Sequence, residues 1–370
     1  MDLSSETARL PAIISETHPD ILKDTLFDWK CDKIVKYKKL LDDSNNHVDE
    51  LRKLDPNFSY ITKESDIYHN LEMDSFNIEM MSKTWLIYWE IFDKFFATYF
   101  MEKQKHPLFN TFHTKEDGHT ILAMNHYISN KDLAWDWYGV AIDMSDPCSL
   151  IKHNKKKWLS GIEHNRELSS ANIRSFKHDF ENTPIHFYTS NGGNSLSELY
   201  GEVFCGLALL GVGGNAIIKS SDIITPLVSI FYLMSLTFDN FYVYTPKVSN
   251  QVYLIGRGYR GITTNNLKKL LDWYNDLNDT IIRMSIFKRT DLSDFTERVI
   301  KVAKKITKLQ INVNDRYLIV YREYNDKDIT EIIKDMESIH KKYASEWIKK
   351  FHVFKLDESK EMIRNQIKFS

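Results

Sequence analysis

Between residues 184 and 260 short apolar runs alternate with longer amphipathic stretches. PIHFYTSNGG reads as a strand ending in a glycine turn, LSELYGEVFCGLALLGVGG as a helix and NAIIKSS as the next strand. A second helical stretch precedes FYVYTPKVSN and QVYLIGRGY, so the order is strand, helix, strand, helix, strand, strand. This alternation is the mark of an open α/β sheet. Only the turn around Ser249 and Asn250 separates the last two strands, which predicts an antiparallel pair. The pattern predicts one sheet with strands near 109–114, 185–190, 215–219, 241–246 and 251–257. A further strand is expected over 132–143, with Trp135 and Trp137 on one of its faces; the two rings would either stack nucleic-acid bases or line a buried surface.

The flanks read as helical. Residues 1–20 are polar with scattered proline and are expected to form a loose arm. Residues 20–56 and the strongly apolar 75–101 carry helical spacing. Beyond the sheet, 265–283 repeats apolar residues at helical intervals, and Ser293 is placed to cap a helix carrying Phe295, Val299, Val302, Ala303 and Ile306. Residues 327–352 hold an apolar stripe from Ile329 to Phe351 over about seven turns, fit either to pack on the same body or to receive a partner. The chain thus divides into a helical N-terminal extension (1–104), an α/β domain (105–262) and a helical C-terminal extension (263–370).

Composition narrows the picture. The chain has 370 residues, enough for a sizeable core. Its 49 Lys and Arg against 51 acids mean that any basic surface must be local. The densest basic cluster is KHNKKKW at 152–158, whose Lys155, Lys156 and Lys157 suit phosphate contacts. Cys31, Cys148 and Cys205 are far apart, so neither a zinc site nor a disulfide framework is supported. A reducing, cytoplasmic compartment follows as the default. MDLSSETARL lacks the basic flank and apolar core of a signal peptide, and the most apolar stretches, 205–218 and 226–238, are too short or interrupted to span a bilayer.

Several motifs carry a more specific likeness. Asn191-Gly192-Gly193 follows a strand; Gly213-Gly214 leads through Asn215, Ala216, Ile217 and Ile218 to Lys219; Thr245-Pro246-Lys247 is followed by Ser249; Gln251-Val252-Tyr253 opens the last strand. Upstream, Ser82-Lys83-Thr84-Trp85-Leu86-Ile87-Tyr88-Trp89-Glu90 fits a Ser-Arg-Ala-Trp-x-Lys-x-x-Glu frame. In order and spacing over roughly 109 to 260 the chain resembles the FtsJ/RrmJ family of RNA ribose 2'-O-methyltransferases, above all the cap-modifying members of large DNA viruses. The resemblance implies a Rossmann-like S-adenosylmethionine methyltransferase sheet, mostly parallel with an antiparallel last hairpin, between the helical extensions.

The resemblance also implies where chemistry belongs. The family eases the proton from a ribose hydroxyl with a Lys-Asp-Lys-Glu tetrad. Its four positions map to Ile87, Asn191, Lys219 and Gln251, so Lys219 alone keeps its chemistry; Asn and Gln hold the shape of Asp and Glu without the charge. The cofactor loop, Glu-x-Pro-Gly-Gly-Phe in the family, reads Thr114-Lys115-Glu116-Asp117-Gly118-His119-Thr120, leaving Glu116 and Gly118 as remnants. The expectation is a catalytically degraded methyltransferase with no cofactor, acting as an RNA-binding or stimulatory subunit in mRNA capping or RNA processing. Such a subunit would be viral, meet a protein partner and no membrane, and reside in the cytoplasm, a viral factory or the virion. The alternatives are an active S-adenosylmethionine-dependent RNA 2'-O-methyltransferase with a divergent tetrad, and a structural scaffold.

Overall fold

The computed structural model describes residues 6–10, 31–55, 58, 73–103, 108–131, 133–141, 154–159, 168–193, 195–220, 227–249, 251–277, 285–287, 289–324 and 327–363. Among the described residues seven strands form one sheet: β1 (Glu6–Leu10), β2 (Phe109–Glu116), β3 (Trp135–Ala141), β4 (Ile185–Ser190), β5 (Leu210–Ser220), β6 (Phe238–Thr245) and β7 (Val252–Tyr259). Their spatial order is β1-β6-β7-β5-β4-β2-β3. Strands β3, β2, β4 and β5 run parallel, and β7 is antiparallel to both β5 and β6. All five expected strands therefore share one sheet, and the last two pair antiparallel through a turn in which Ser249 N–H donates to the Pro246 carbonyl at 3.3 Å. This mixed α/β arrangement is compatible with a Rossmann-like fold.

Strand β1 corrects the expectation of a loose N-terminal arm. Glu6–Leu10 pairs antiparallel with β6, Glu6 opposite Thr245 and Leu10 opposite Phe241. Without it β6 would present a bare row of backbone donors and acceptors. Its sequence, ETARL, has too little alternation to announce a strand, so pairing with β6 is what orders it. The rest of the arm lies outside the described residues.

The longer helices among the described residues are α1 (Asp32–Leu54), α2 (Lys83–Ile91), α3 (His119–Ile128), α4 (Ser170–Asp179), α5 (Leu196–Leu209), α6 (Leu227–Thr237), α7 (Thr264–Asn275), α8 (Arg289–Tyr324) and α9 (Ile329–Lys350). A π-helical turn over Phe92–Phe96 carries α2 on into a helical segment, Ala97–Lys103. Successive strand residues point to opposite faces. Tyr188, Ile218 and Leu254 join the core built with α4 to α8, whereas Phe187, Ile217 and Tyr253 join the aromatic core built with α2, α3 and α9. In the second core Phe187 packs edge-on to Phe92 and Phe96 at ring-centroid distances of 6.0 and 4.8 Å.

The C-terminal stripe is used inside the chain. Ala344, Trp347 and Phe351 enter the aromatic core, and Ile332 and Met336 pack with Val320, Tyr321, Tyr324 and Ile339. Ser293 is not a cap: α8 begins upstream at Arg289, where buried Ile286, Phe287 and Leu292 extend its apolar face. Trp137 is buried edge-on against Trp158, with centroids 5.5 Å apart, and the Trp135 indole N–H donates to Thr111 Oγ1 at 3.0 Å. Both rings therefore belong to packing. Among the described residues no helix is long and apolar enough to cross a membrane, and no group of three or more His, Cys, Asp or Glu side chains could hold a metal ion. Residues 20–30, 278–284, Pro56, Asn57, Cys148, Lys152, His153 and Asn250 lie outside the described residues.

Candidate functional site

The chain runs from β2 outward to β3 and then returns across β2 to β4, with α3 on one face and α4 on the other. In an open α/β sheet a crevice forms where the strand order reverses, outside the carboxyl ends of the strands. Here that point lies between β2 and β4, and it brings Glu116, Gly118 and Asn191 together. Glu116, fully buried, accepts from the backbone N–H of Gly118 at 2.8 Å and of Thr120 at 3.0 Å. Its second oxygen accepts from Asn191 Nδ2 at 3.2 Å, and the same amide donates to Thr120 Oγ1 at 2.9 Å. The first-turn amides of α3, where an incoming anion would dock, are thus occupied by a carboxyl group of the chain itself. Burial, and then Asp117, push the Glu116 carboxyl up to about 8. Gly118 has φ 99°, a left-handed conformation that favours glycine, and leads directly into α3. Tyr88 of α2 reaches the end of β4, its hydroxyl donating to the Ser190 carbonyl at 3.2 Å.

A buried ion pair lies beside this crevice. Lys115 sits at a bulge in β2 with φ 52°, a costly backbone conformation outside glycine. Its Nζ meets Glu198 Oε1 at 2.7 Å, with both side chains under one-tenth exposed. One turn further along α5, fully buried Glu202 accepts from Tyr188 OH at 2.8 Å and from the Thr114 hydroxyl, and burial raises its carboxyl. Gly192 leaves room for this pair of contacts: a Cβ there would stand 2.8 Å from Glu202 Oε1 and 3.0 Å from Lys115 Cγ. The sequence signal was two glutamates four residues apart in an otherwise apolar helix, together with a lysine beside Glu116. Both were overlooked because neither falls on a motif of the resembled family.

Each of the four tetrad positions has its own surroundings. Ile87 is buried in the aromatic core. Asn191 is held by Glu116 and Thr120. Lys219, at the end of β5, is half-buried; burial lowers its pKa while Glu198 and Asp117 oppose the shift. Among the described residues its ammonium has no hydrogen-bond partner. Gln251 is exposed and accepts from Tyr253 OH at 3.2 Å. The Asn191–Gly193 loop does run against β5: Gly193 has φ 88°, and a Cβ there would lie 2.4 Å from the Lys219 carbonyl.

Two other motifs serve structure. Ser82 caps α2 by accepting from Trp85 N–H at 3.1 Å. Glu90, buried, accepts from Lys247 N–H at 2.8 Å, from Trp347 Nε1 at 3.3 Å and from Tyr244 OH, so it clamps the turn after β6 to α9. In the basic cluster, Lys155–Lys157 forms one 3-10 turn. Lys156 is exposed, whereas Lys157 pairs with Asp136 and lies 5.1 Å over the Tyr138 ring.

No family model matches the chain, and no curated protein matches it. Among solved structures it is similar to MnmC2 from Aquifex aeolicus, with 10% identity and a TM-score of 0.29 over 58% of this chain and 72% of that one.

Proposed function

We propose that the chain is an FtsJ/RrmJ-like methyltransferase in which catalysis has been lost, serving as an RNA-binding or stimulatory subunit in mRNA capping or RNA processing, as in large DNA viruses. The observation that carries this reading is the self-occupied crevice. Glu116 holds the amides of Gly118 and Thr120, and Asn191 holds Glu116, so the place where a cofactor would meet the backbone is already filled. Ile87, buried among aromatic rings, supplies no amine, and exposed Gln251 supplies no charge. Loss of general acid–base help alone costs about 100- to 10,000-fold in rate.

One observation favours an active alternative. The Lys115–Glu198 pair places a second lysine and an acid near Lys219. A single experiment separates the two readings: calorimetric titration with S-adenosylmethionine beside a radiolabelled methyl-transfer assay on capped and uncapped RNA. The expected result is neither heat nor transfer. Turnover that is lost on Lys219→Met and Lys115→Met would overturn the pseudoenzyme reading and install the alternative.

A further inference from the structure

Helix α8 turns one side to the core, burying Val299, Val302, Ala303 and Ile306. Its opposite side carries Lys301, Lys304 and Lys308, all exposed, flanked by exposed Arg298 and Lys305. At about 100° per residue the three lysines fall within roughly 60° of one another, and at about 1.5 Å per residue they span roughly 10 Å of helix. The segment from Arg298 to Lys308 contains five cations and no acid, in a chain whose formal net charge is -2. Among the described residues Lys301, Lys304 and Lys308 have no ion-pair partner. The nearest acid upstream on this side, Glu297, is engaged by Lys33 of α1 at 3.3 Å. Like charges three and four residues apart each cost a helix about 0.2–0.5 kcal/mol, so the row works against the helix that carries it.

We infer that this face of α8 is a docking surface for the phosphodiester backbone of single-stranded RNA. Three cations in one line, spaced about 4.5 and 6 Å along the axis, suit a single charged strand, and polyanion binding relieves their mutual repulsion while releasing counterions. A lipid surface fits less well. A membrane-surface helix needs an apolar side to enter the lipid, and the apolar side of α8 is spent in the core. The choice of RNA rests on the function proposed above; the cationic row does not. The Lys155–Lys157 turn is a separate locus, and Lys157 there is already engaged.

The test is fluorescence anisotropy with a labelled single-stranded RNA of about 20 nucleotides, longer than the roughly 4–16 nucleotides a single-strand site covers, at about 50 and about 200 mM salt. The full chain is compared with Lys301→Gln/Lys304→Gln/Lys308→Gln and, separately, with Lys349→Gln, an exposed lysine of α9 outside the row. Each single-strand phosphate contact contributes about −0.7 to the log–log salt slope. The triple variant should therefore lose about 2 from the slope and about tenfold or more in affinity at low salt, with its helix content by circular dichroism unchanged. Lys349→Gln should leave both values as they are. Equal binding and slope in the triple variant would overturn the inference while leaving an RNA-binding role to another surface. Absence of RNA binding by the unaltered chain would overturn both the inference and the RNA arm of the proposed function, leaving the cofactor titration to be judged alone. Capture by phosphatidylserine vesicles without RNA binding would assign the row to lipid and overturn the inference.

Discussion

Restoring the family's acid at position 191 should destabilise the protein, and increasingly so as the pH rises. In the native chain Asn191 Nδ2 donates to Glu116 Oε2 at 3.2 Å and to Thr120 Oγ1 at 2.9 Å. Asn191→Asp replaces that donor with an oxygen facing the Glu116 carboxyl across the same gap. Two full charges at this distance repel by about 5 kcal/mol at an effective dielectric of about 20. The pair escapes that cost while Glu116 keeps its proton, since a protonated carboxyl can donate to its neighbour. Burial already pushes Glu116 up to about 8, so at pH 6 the substitution should cost about 1 kcal/mol, the value of one altered hydrogen bond. The folded-state pKa of the pair lies above its unfolded value. Its stabilising contribution is therefore complete below the ordinary carboxylate range and is lost as pH rises through the folded pKa. Above pH 9 the cost should approach about 3–5 kcal/mol, bounded by the repulsion just given. Urea unfolding of both proteins at pH 6 and above pH 9 measures the difference directly. A cost that does not change with pH, or a variant more stable than the native chain at high pH, would refute the placement of Asn191 against a buried carboxyl.

Glu116→Gln should have the opposite sign. The native group rises from 4.5 to about 8 on folding, so it erodes stability across that window by up to about 5 kcal/mol at about 1.4 kcal/mol per pH unit; the variant should show a flatter stability–pH profile by differential scanning calorimetry, and identical profiles would count against the assignment. Gly193→Ala forces a side chain onto φ 88° and a Cβ to 2.4 Å from the Lys219 carbonyl, which should cost at least about 1–3 kcal/mol, read as a lower urea midpoint at unchanged slope. Glu90→Ala strands the donors of Tyr244, Lys247 and Trp347 and should cost about 3 kcal/mol or more, with hydrogen exchange rising at the turn after β6; a neutral result would mean that the clamp is not closed in solution.

Much of this architecture was legible in the chain itself. The β4–α5–β5 run and the closing β6–β7 pair follow from local periodicity, because a strand buried on both faces needs consecutive apolar residues and a packed helix needs them at helical spacing. Strand β1 was not legible: ETARL is ordered by the open edge of β6, which lies more than two hundred residues away in sequence. Ser293 was misread as a cap because the beginning of α8 is set by what Ile286, Phe287 and Leu292 bury against.

For the site, the chain alone established which groups are missing from the resembled tetrad, because side-chain identity needs no coordinates. Only the tertiary structure decided what those positions do. Asn191 and Glu116 lie 75 residues apart, and their bond exists because β2 and β4 are neighbours at the reversal of strand order. The Lys115–Glu198 pair likewise depends on a bulge in β2 meeting the first turn of α5. A charge is buried or exposed, and paired or alone, according to what the fold sets beside it, and that is a property of long-range contacts on which local sequence pattern is silent.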